Sequence, residues 1–280
     1  MTEARAFAPG NISGVFKIIP HEDPAQMHSL GLGFTVEHGV EVSVREGEGD
    51  TSVTFNGEAI DFPTVVTVAE RLAAGRALVI DIATPLPLSS GFGLSGASAL
   101  ATAYAGNELL DLGKKRDELA LLTHVAEVEQ LTGLGDVCAQ FHGGCLTKLS
   151  PGDPLGAQRL AVEAGVEIHY RYFSAIRTRD ILADERRRRQ INDAADEALS
   201  ALAGLAEMEA VAVEDCVRIS RGFAESSGLL EHEGVRAAVD EVEAAGGNSS
   251  MIMLGNAVFS TVPFTGSART TLQHRAGEVL

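Results

Sequence analysis

Pro87-Leu-Ser-Ser-Gly-Phe-Gly-Leu-Ser-Gly-Ala-Ser98 separates a strand-like run, Arg76–Ala83, from the small-residue stretch Ala97–Gly106, which reads as a helix. Glycines let a backbone approach a ligand closely, and the unpaired N–H groups and positive dipole end of a helix start favour an anion. The segment is therefore a candidate phosphate cradle; the plainer alternative is a glycine-rich turn with a serine cap. Gly91-x-Gly93-x-x-Gly96 also satisfies the dinucleotide fingerprint of dehydrogenases. That unit needs a strand after its helix and an acidic ribose ligand about 20 residues on. Here a helix is followed by another helix, and Glu108 and Asp111 fall at a helix end. Gly-x-x-x-x-Gly-Lys-Ser/Thr is absent as well, which leaves a third kind of phosphate loop.

Working outward, β-branched and polar residues alternate in Val40–Val44 and Ser52–Phe55, with turns at Glu46–Gly49 and Asn56-Gly57. This predicts antiparallel strands between Gly31 and Ile60. Thr64–Ala74 reads as a short helix closed by Gly75. Beyond the loop, a helix is expected over about Lys115–Leu131, stopping at Thr132-Gly-Leu-Gly135, and from Asp136 a helix turns into a strand near Phe141–Thr147. Pro151-Gly-Asp-Pro154 is the expected domain boundary, dividing the chain into 1–152 and 153–280. The second part reads as a strand at Val162–Phe173, helices at Asp184–Leu205, Glu209–Ser226 and His232–Ala245, and a strand at Ala257–Val262.

The 280 residues include 39 acidic and 22 basic side chains, for a net charge of −17. Such a surface is unsuited to nucleic acid phosphates or anionic lipid. Cys138, Cys145 and Cys216 lack C-x-x-C spacing, so neither a disulfide scaffold nor a zinc site is expected, and a reducing cytoplasm fits. The first twenty residues lack a signal-peptide pattern. Residues 82–107 are uncharged, but Pro85, Pro87 and the glycines make a membrane span unsuitable.

The Gly91-Phe-Gly-Leu-Ser-Gly-Ala97 string resembles the second motif of the GHMP kinases, the superfamily of galactokinase and the homoserine, mevalonate and phosphomevalonate kinases. Ala8-Pro-Gly-Asn-Ile-Ser-Gly-Val-Phe16 resembles their N-terminal motif, and Gly246-Gly-Asn-Ser-Ser-Met-Ile-Met-Leu-Gly255 stands in place of their C-terminal one. Asn11-Ile-Ser-Gly-Val-Phe16, Gly133-Leu-Gly-Asp-Val137, Thr178-Arg-Asp-Ile-Leu182 and Ser249-Ser-Met-Ile-Met-Leu-Gly255 are similar to the archaeal pantoate kinase branch. Three features depart from the wider superfamily: Asn11 is neutral where many members carry lysine or arginine, the third motif is less glycine-dense, and the chain looks short after Val262.

The resemblance implies an α+β, two-domain fold, with an N-terminal domain like ribosomal protein S5 and a ferredoxin-like C-terminal domain. It also implies ATP- and Mg²⁺-dependent phosphorylation of pantoate to 4-phosphopantoate for coenzyme A synthesis. The alternatives are a kinase of the same superfamily acting on homoserine, mevalonate or a sugar and, more distantly, a non-catalytic nucleotide binder. By the same resemblance, Gly91, Phe92, Gly93, Leu94, Ser95, Gly96 and Ala97, with Ser249 and Ser250, would hold the nucleotide. Ser95 and Glu127 would hold magnesium, Asp136 would be catalytic, and Asn11, His21, His28, Ser29 and Arg179 would line the acceptor side.

Phosphoryl transfer needs a cradle for charge, a metal ligand and a group serving the attacking hydroxyl. Asp136, directly after Gly133-x-Gly135 at a helix start, could take the hydroxyl proton or be a plain N-cap. Helical geometry does not choose between Glu127 and Glu129, since Glu129 falls on the apolar stripe of Leu122, Val125 and Ala126. The similarity of His124-Val-Ala-Glu-Val128 to the pantoate kinase branch favours Glu127. Lys17 and Arg177 are further basic candidates, and His142 reads as packed structure. Arg186–Arg189 reads as a solvated face or a subunit contact, leaving a homodimer open.

Overall fold

The computed structural model describes residues 3–176 and 184–280. Strands β1 (Glu3–Ile19) and β2 (His28–Glu46) form a long antiparallel hairpin, in register from Glu3 opposite Arg45 to Ile19 opposite His28. Pro9, Gly10 and Gly14 would weaken a regular strand and hid β1 from sequence reading. The ladder absorbs them at two register shifts, Pro9/Asn11 and Ser13/Val15.

Beside β2 runs β5 (Leu78–Ala83), antiparallel to it, followed by β3 (Ser52–Phe55) and β4 (Glu58–Ala59). Within residues 31–60 the expected antiparallel pairing is met, by β3 with β4 and by β2 with each of its neighbours, whereas β3 lies parallel to β5, which comes after that stretch. Helix α1 (Pro63–Ala73) lies between them in sequence, and a helical crossover returns the chain in the same direction. Helices α2 (Leu94–Leu109) and α3 (Arg116–Gln130) pack with α1, and α2 lies against β1 and β2. Every α2 residue from Gly96 to Gly106 is buried, which its alanines, glycines and serines permit. The short helix α4 (Asp136–His142) leads into β6 (Cys145–Lys148), which pairs with β2 and with β7 (Gln158–Arg159).

The second sheet is antiparallel, in the order β11 (Ala268–Thr271), β8 (Glu167–Ser174), β10 (Asn256–Ser260), β9 (Ser249–Met251). The strand expected from Val162 begins at Glu167, after a turn at Gly165 with φ +84°. Helices α5 (Glu185–Ala206), α6 (Val213–Ser226) and α7 (Glu233–Ala244) complete this half. Helix α5 buries Ile191, Ala195, Ala198 and Leu202, one stripe at helical spacing, and opens on Asp184, which accepts from the N–H groups of Arg186 and Arg187. Its arginines face outward, Arg189 paired with Glu185 and Arg187 with Glu231. The tail after Val262 is not idle: it supplies β11 and then β12 (Glu278–Val279), which returns to the first sheet beside β1. The whole is an α+β fold built on two sheets. No helix among the described residues is long and apolar enough to cross a membrane.

Candidate active site

Helix α2 starts at a cleft of about 800 Å³. Gly93 caps it in the left-handed region at φ 61°, and no side chain caps its first N–H groups, which leaves them available to an anion. The loop before it is braced from three sides. Asn11 N–H donates to Phe92 O at 2.9 Å, Gln140 Nε2 to Gly93 O at 2.8 Å, and the Phe92 ring stands edge-on to Tyr170 with centroids 4.9 Å apart.

Two carboxylates meet this loop. Glu127, 1% exposed, accepts through Oε1 from Ser95 Oγ at 2.6 Å and Thr132 Oγ1 at 2.7 Å. Burial pushes its carboxyl from 4.5 up to about 7; the Ser95 and Thr132 bonds oppose this, and the Asp136 charge adds to it. Glu129 is exposed and paired with Arg71, so tertiary packing selects Glu127 as the buried acid. Asp136 opens α4 and accepts through Oδ1 from Asn11 Nδ2 at 2.7 Å and Ser13 Oγ at 3.0 Å. Burial raises its carboxyl, against the pull of those two donors.

Glycines make this packing possible. A Cβ on Gly93 would stand 2.8 Å from Asp136 Cγ, and one on Gly133 would collide with Glu127 Oε2 and come within 3.5 Å of Asp136 Oδ2. Those two oxygens, which accept no hydrogen bond from the described residues, thus border one gap below the loop. A hard divalent cation that takes one protein carboxylate, that of Glu127, with the Ser95 hydroxyl suits this side of the gap, provided most ligands come from elsewhere. No cluster of three or more His, Cys, Asp or Glu able to hold a metal occurs among the described residues.

Of the sequence-derived candidates, Asn11, Ser29, Gly91, Phe92, Gly93, Leu94, Ser95, Glu127 and Asp136 line this one cleft. Gly96 and Ala97 lie behind the wall, where Gly96 leaves room for Gln140 and Val137. Ser249 and Ser250 are buried in β9, away from the wall. Their motif instead reaches the cleft through Met253 and Leu254, where Met253 N–H donates to Ser13 O of β1 at 3.0 Å, and it packs on the loop, since a Cβ on Gly91 would stand 2.8 Å from Ile252 Cγ2. His28 is buried behind Ser29, with Nδ1 on Gln26 O at 2.7 Å, and burial lowers its pKa. His21 accepts from Asp23 N–H in an exposed turn, and Lys17 pairs with Asp196; neither reaches the cleft. His142 is packed on Phe141 and Leu155 O, as expected. Arg177, Arg179 and the rest of Thr178–Leu182 lie outside the described residues.

Sequence reading missed Ser13, Thr132 and Lys148. Ser13 lies two residues from Asn11 on the same strand, so it was hidden together with β1 itself. Lys148, at the end of β6, is the one cation lining the cleft among the described residues, and nothing local marks it. It is half-buried, its Nζ donates to Asp153 O, and burial lowers its pKa.

Residues 63–144 match the GHMP kinases N terminal domain. The pantoate kinase of Methanocaldococcus jannaschii is 31% identical over 256 residues, covering 90% of each chain. That of Methanospirillum hungatei is 30% identical over 285 residues, covering 100% of this chain and 93% of its own. A solved phosphotransferase related to the CoA biosynthesis pathway superposes with a TM-score of 0.84 at 26% identity, over 100% of this chain and 99% of that one.

Proposed function

The chain belongs to the pantoate kinase family of the GHMP kinases, and from that premise we propose that it transfers a phosphoryl group from ATP to the 4-hydroxyl of pantoate, supplying 4-phosphopantoate for coenzyme A synthesis. The observation that carries this reading is the convergence, in one cleft, of the uncapped start of α2, the Ser95–Glu127 pair, Asp136 and Lys148.

In this reading the first N–H groups of α2 and the Gly91–Leu94 backbone receive the ATP phosphates. Ser95 and Glu127 would hold Mg²⁺, which when bound offsets the negative charge of the phosphates. Asp136 accepts the proton of the 4-hydroxyl through Oδ2 as the hydroxyl oxygen bonds to the γ-phosphorus and the bond from that phosphorus to ADP breaks. Its upward-shifted carboxyl is a better proton acceptor than an exposed aspartate once ionised. Lys148 meets the acceptor's carboxylate; His28 and His124 stay neutral because burial lowers both. Three free, buried cysteines suit a reducing cytoplasm.

The test is coupled ADP release with ATP and magnesium, across pantoate, homoserine, mevalonate, galactose and no acceptor. Release with pantoate alone is expected. Release with a different acceptor alone would overturn the acceptor assignment, and no release with any acceptor would overturn the kinase reading.

A further inference from the structure

Two side chains of β1 grip one atom. Asn11 Nδ2 and Ser13 Oγ both donate to Asp136 Oδ1, and Asn11 Nδ2 also donates to Ser13 Oγ at 3.0 Å, which leaves the serine hydroxyl hydrogen for the carboxylate. The three polar atoms close a ring of hydrogen bonds on Oδ1, while Oδ2 is left on the side facing Gly133.

The clamp is itself anchored. Asn11 is 1% exposed, and a Cβ on Gly33 would stand 3.1 Å from its Oδ1, so its amide has little room to turn. The backbone of Asn11 is tied to Phe92 and that of Ser13 to Met253, and the two register shifts of β1 bracket the pair. Rotation of the Asp136 carboxyl about Cβ–Cγ would exchange its oxygens, and two donors on one oxygen oppose that exchange. Neither donor carries charge. A cation at this place would attract the carboxylate electrons and make Asp136 a poorer proton acceptor, whereas an amide and a hydroxyl fix its direction at less cost to its basicity.

We infer that Asn11 and Ser13 are positioning residues that hold Asp136 by Oδ1 so that Oδ2 alone meets the acceptor hydroxyl. This rests on the reading of Asp136 as the group that serves that hydroxyl.

The experiment is steady-state kinetics with ATP and pantoate on Ser13→Ala, Ser13→Thr, Asn11→Ala and Asp136→Asn, and on the doubles of the first and third with Asp136→Asn, with melting curves for each. Misplacing a reacting group by about 1 Å costs about 100-fold, so Ser13→Ala and Asn11→Ala are expected to lower kcat about 10- to 100-fold, leaving KM for ATP and for pantoate within about 2-fold. Ser13→Thr, which keeps the hydroxyl, retains most of the turnover. In the Asp136→Asn background neither alanine lowers kcat further.

Unchanged kcat in both alanine variants would overturn the inference while leaving the kinase reading intact. So would equal losses with and without the Asp136 carboxylate, since a purely structural role does not depend on that group. Should Asn11→Ala fail to fold, Ser13→Ala, which removes a single oxygen from a partly exposed residue, decides alone. A wild-type protein with no acceptor-dependent ADP release would sink the kinase reading, and the inference with it.

Discussion

Ser95 Oγ donates to Glu127 Oε1 at 2.6 Å, joining the first turn of α2 to the last turn of α3. The bond places a hydroxyl from the glycine loop's helix directly on a buried acid, so loop position and carboxylate orientation are coupled. Ser95→Ala should remove a hydroxyl that would hold magnesium together with its hydrogen bond to Glu127, and raise the magnesium concentration needed for half-maximal turnover about 10-fold or more, the least expected when even a ligand's hydrogen-bonded partner is lost. A magnesium titration of initial rates checks this, and an unchanged midpoint would remove Ser95 from the metal site.

The Glu127 carboxyl gives a pH signature to stability. Folded, it keeps its proton to about pH 7, against 4.5 for the ordinary group. Between those values the folded state binds more protons than the unfolded one, so stability is greatest below 4.5 and is lost as pH rises to about 7. Glu127→Gln removes the ionisation while keeping an acceptor for Ser95 and Thr132. Relative to wild type, the variant should gain stability as pH rises from 5 to 7, by at most about 1.4 kcal/mol per pH unit, and hold that gain at pH 8. The buried histidines act in the opposite direction, destabilising the fold as pH falls below 6.5, but they are common to both proteins and cancel in the difference. Urea unfolding at pH 5, 6, 7 and 8, without magnesium, measures this gain, and a pH-independent difference would count against a titrating Glu127.

Lys148→Ala should raise KM for pantoate about 10- to 100-fold, the value of a hydrogen bond to a charged group, and leave KM for ATP nearly unchanged. Lys148→Arg should recover most of the loss. If ATP were the substrate whose KM rises, the lysine would belong to the nucleotide side of the cleft.

Gly93 and Gly75 separate backbone strain from steric conflict. Both have positive φ, 61° and 88°, but a Cβ on Gly75 meets nothing within 4 Å, whereas one on Gly93 would press on Asp136. Alanine at Gly75 should cost about 1–2 kcal/mol in denaturant unfolding, the penalty for a side chain in the left-handed region, and alanine at Gly93 more than that because of the added contact with Asp136. Only Gly93→Ala should abolish turnover as well. Full activity in Gly93→Ala would mean that the loop and Asp136 can separate without consequence.

Much of this site was legible along the chain. The glycine loop and the small-residue helix after it are local patterns, and so is Asp136 after Gly133-x-Gly135. The amphipathic stripe of α5 and the glycine that follows α1 were readable for the same reason, because i, i+4 spacing and positive-φ positions are properties of neighbouring residues. The strand β1 was not readable, since its proline and glycines argue against a strand until β2 supplies the partner that absorbs them as bulges.

By itself the sequence determined which chemical groups are present and which short elements carry them: a phosphate-sized glycine turn, two carboxylate candidates on α3, an aspartate at a helix start. The tertiary structure alone decided that Glu127 rather than Glu129 is buried, that Asn11 reaches Asp136 from 125 residues away, and that Lys148 rather than His21 or Lys17 faces the cleft. The physical reason is that burial and hydrogen-bond partnership are set by which distant elements pack together, and no spacing within one element records that.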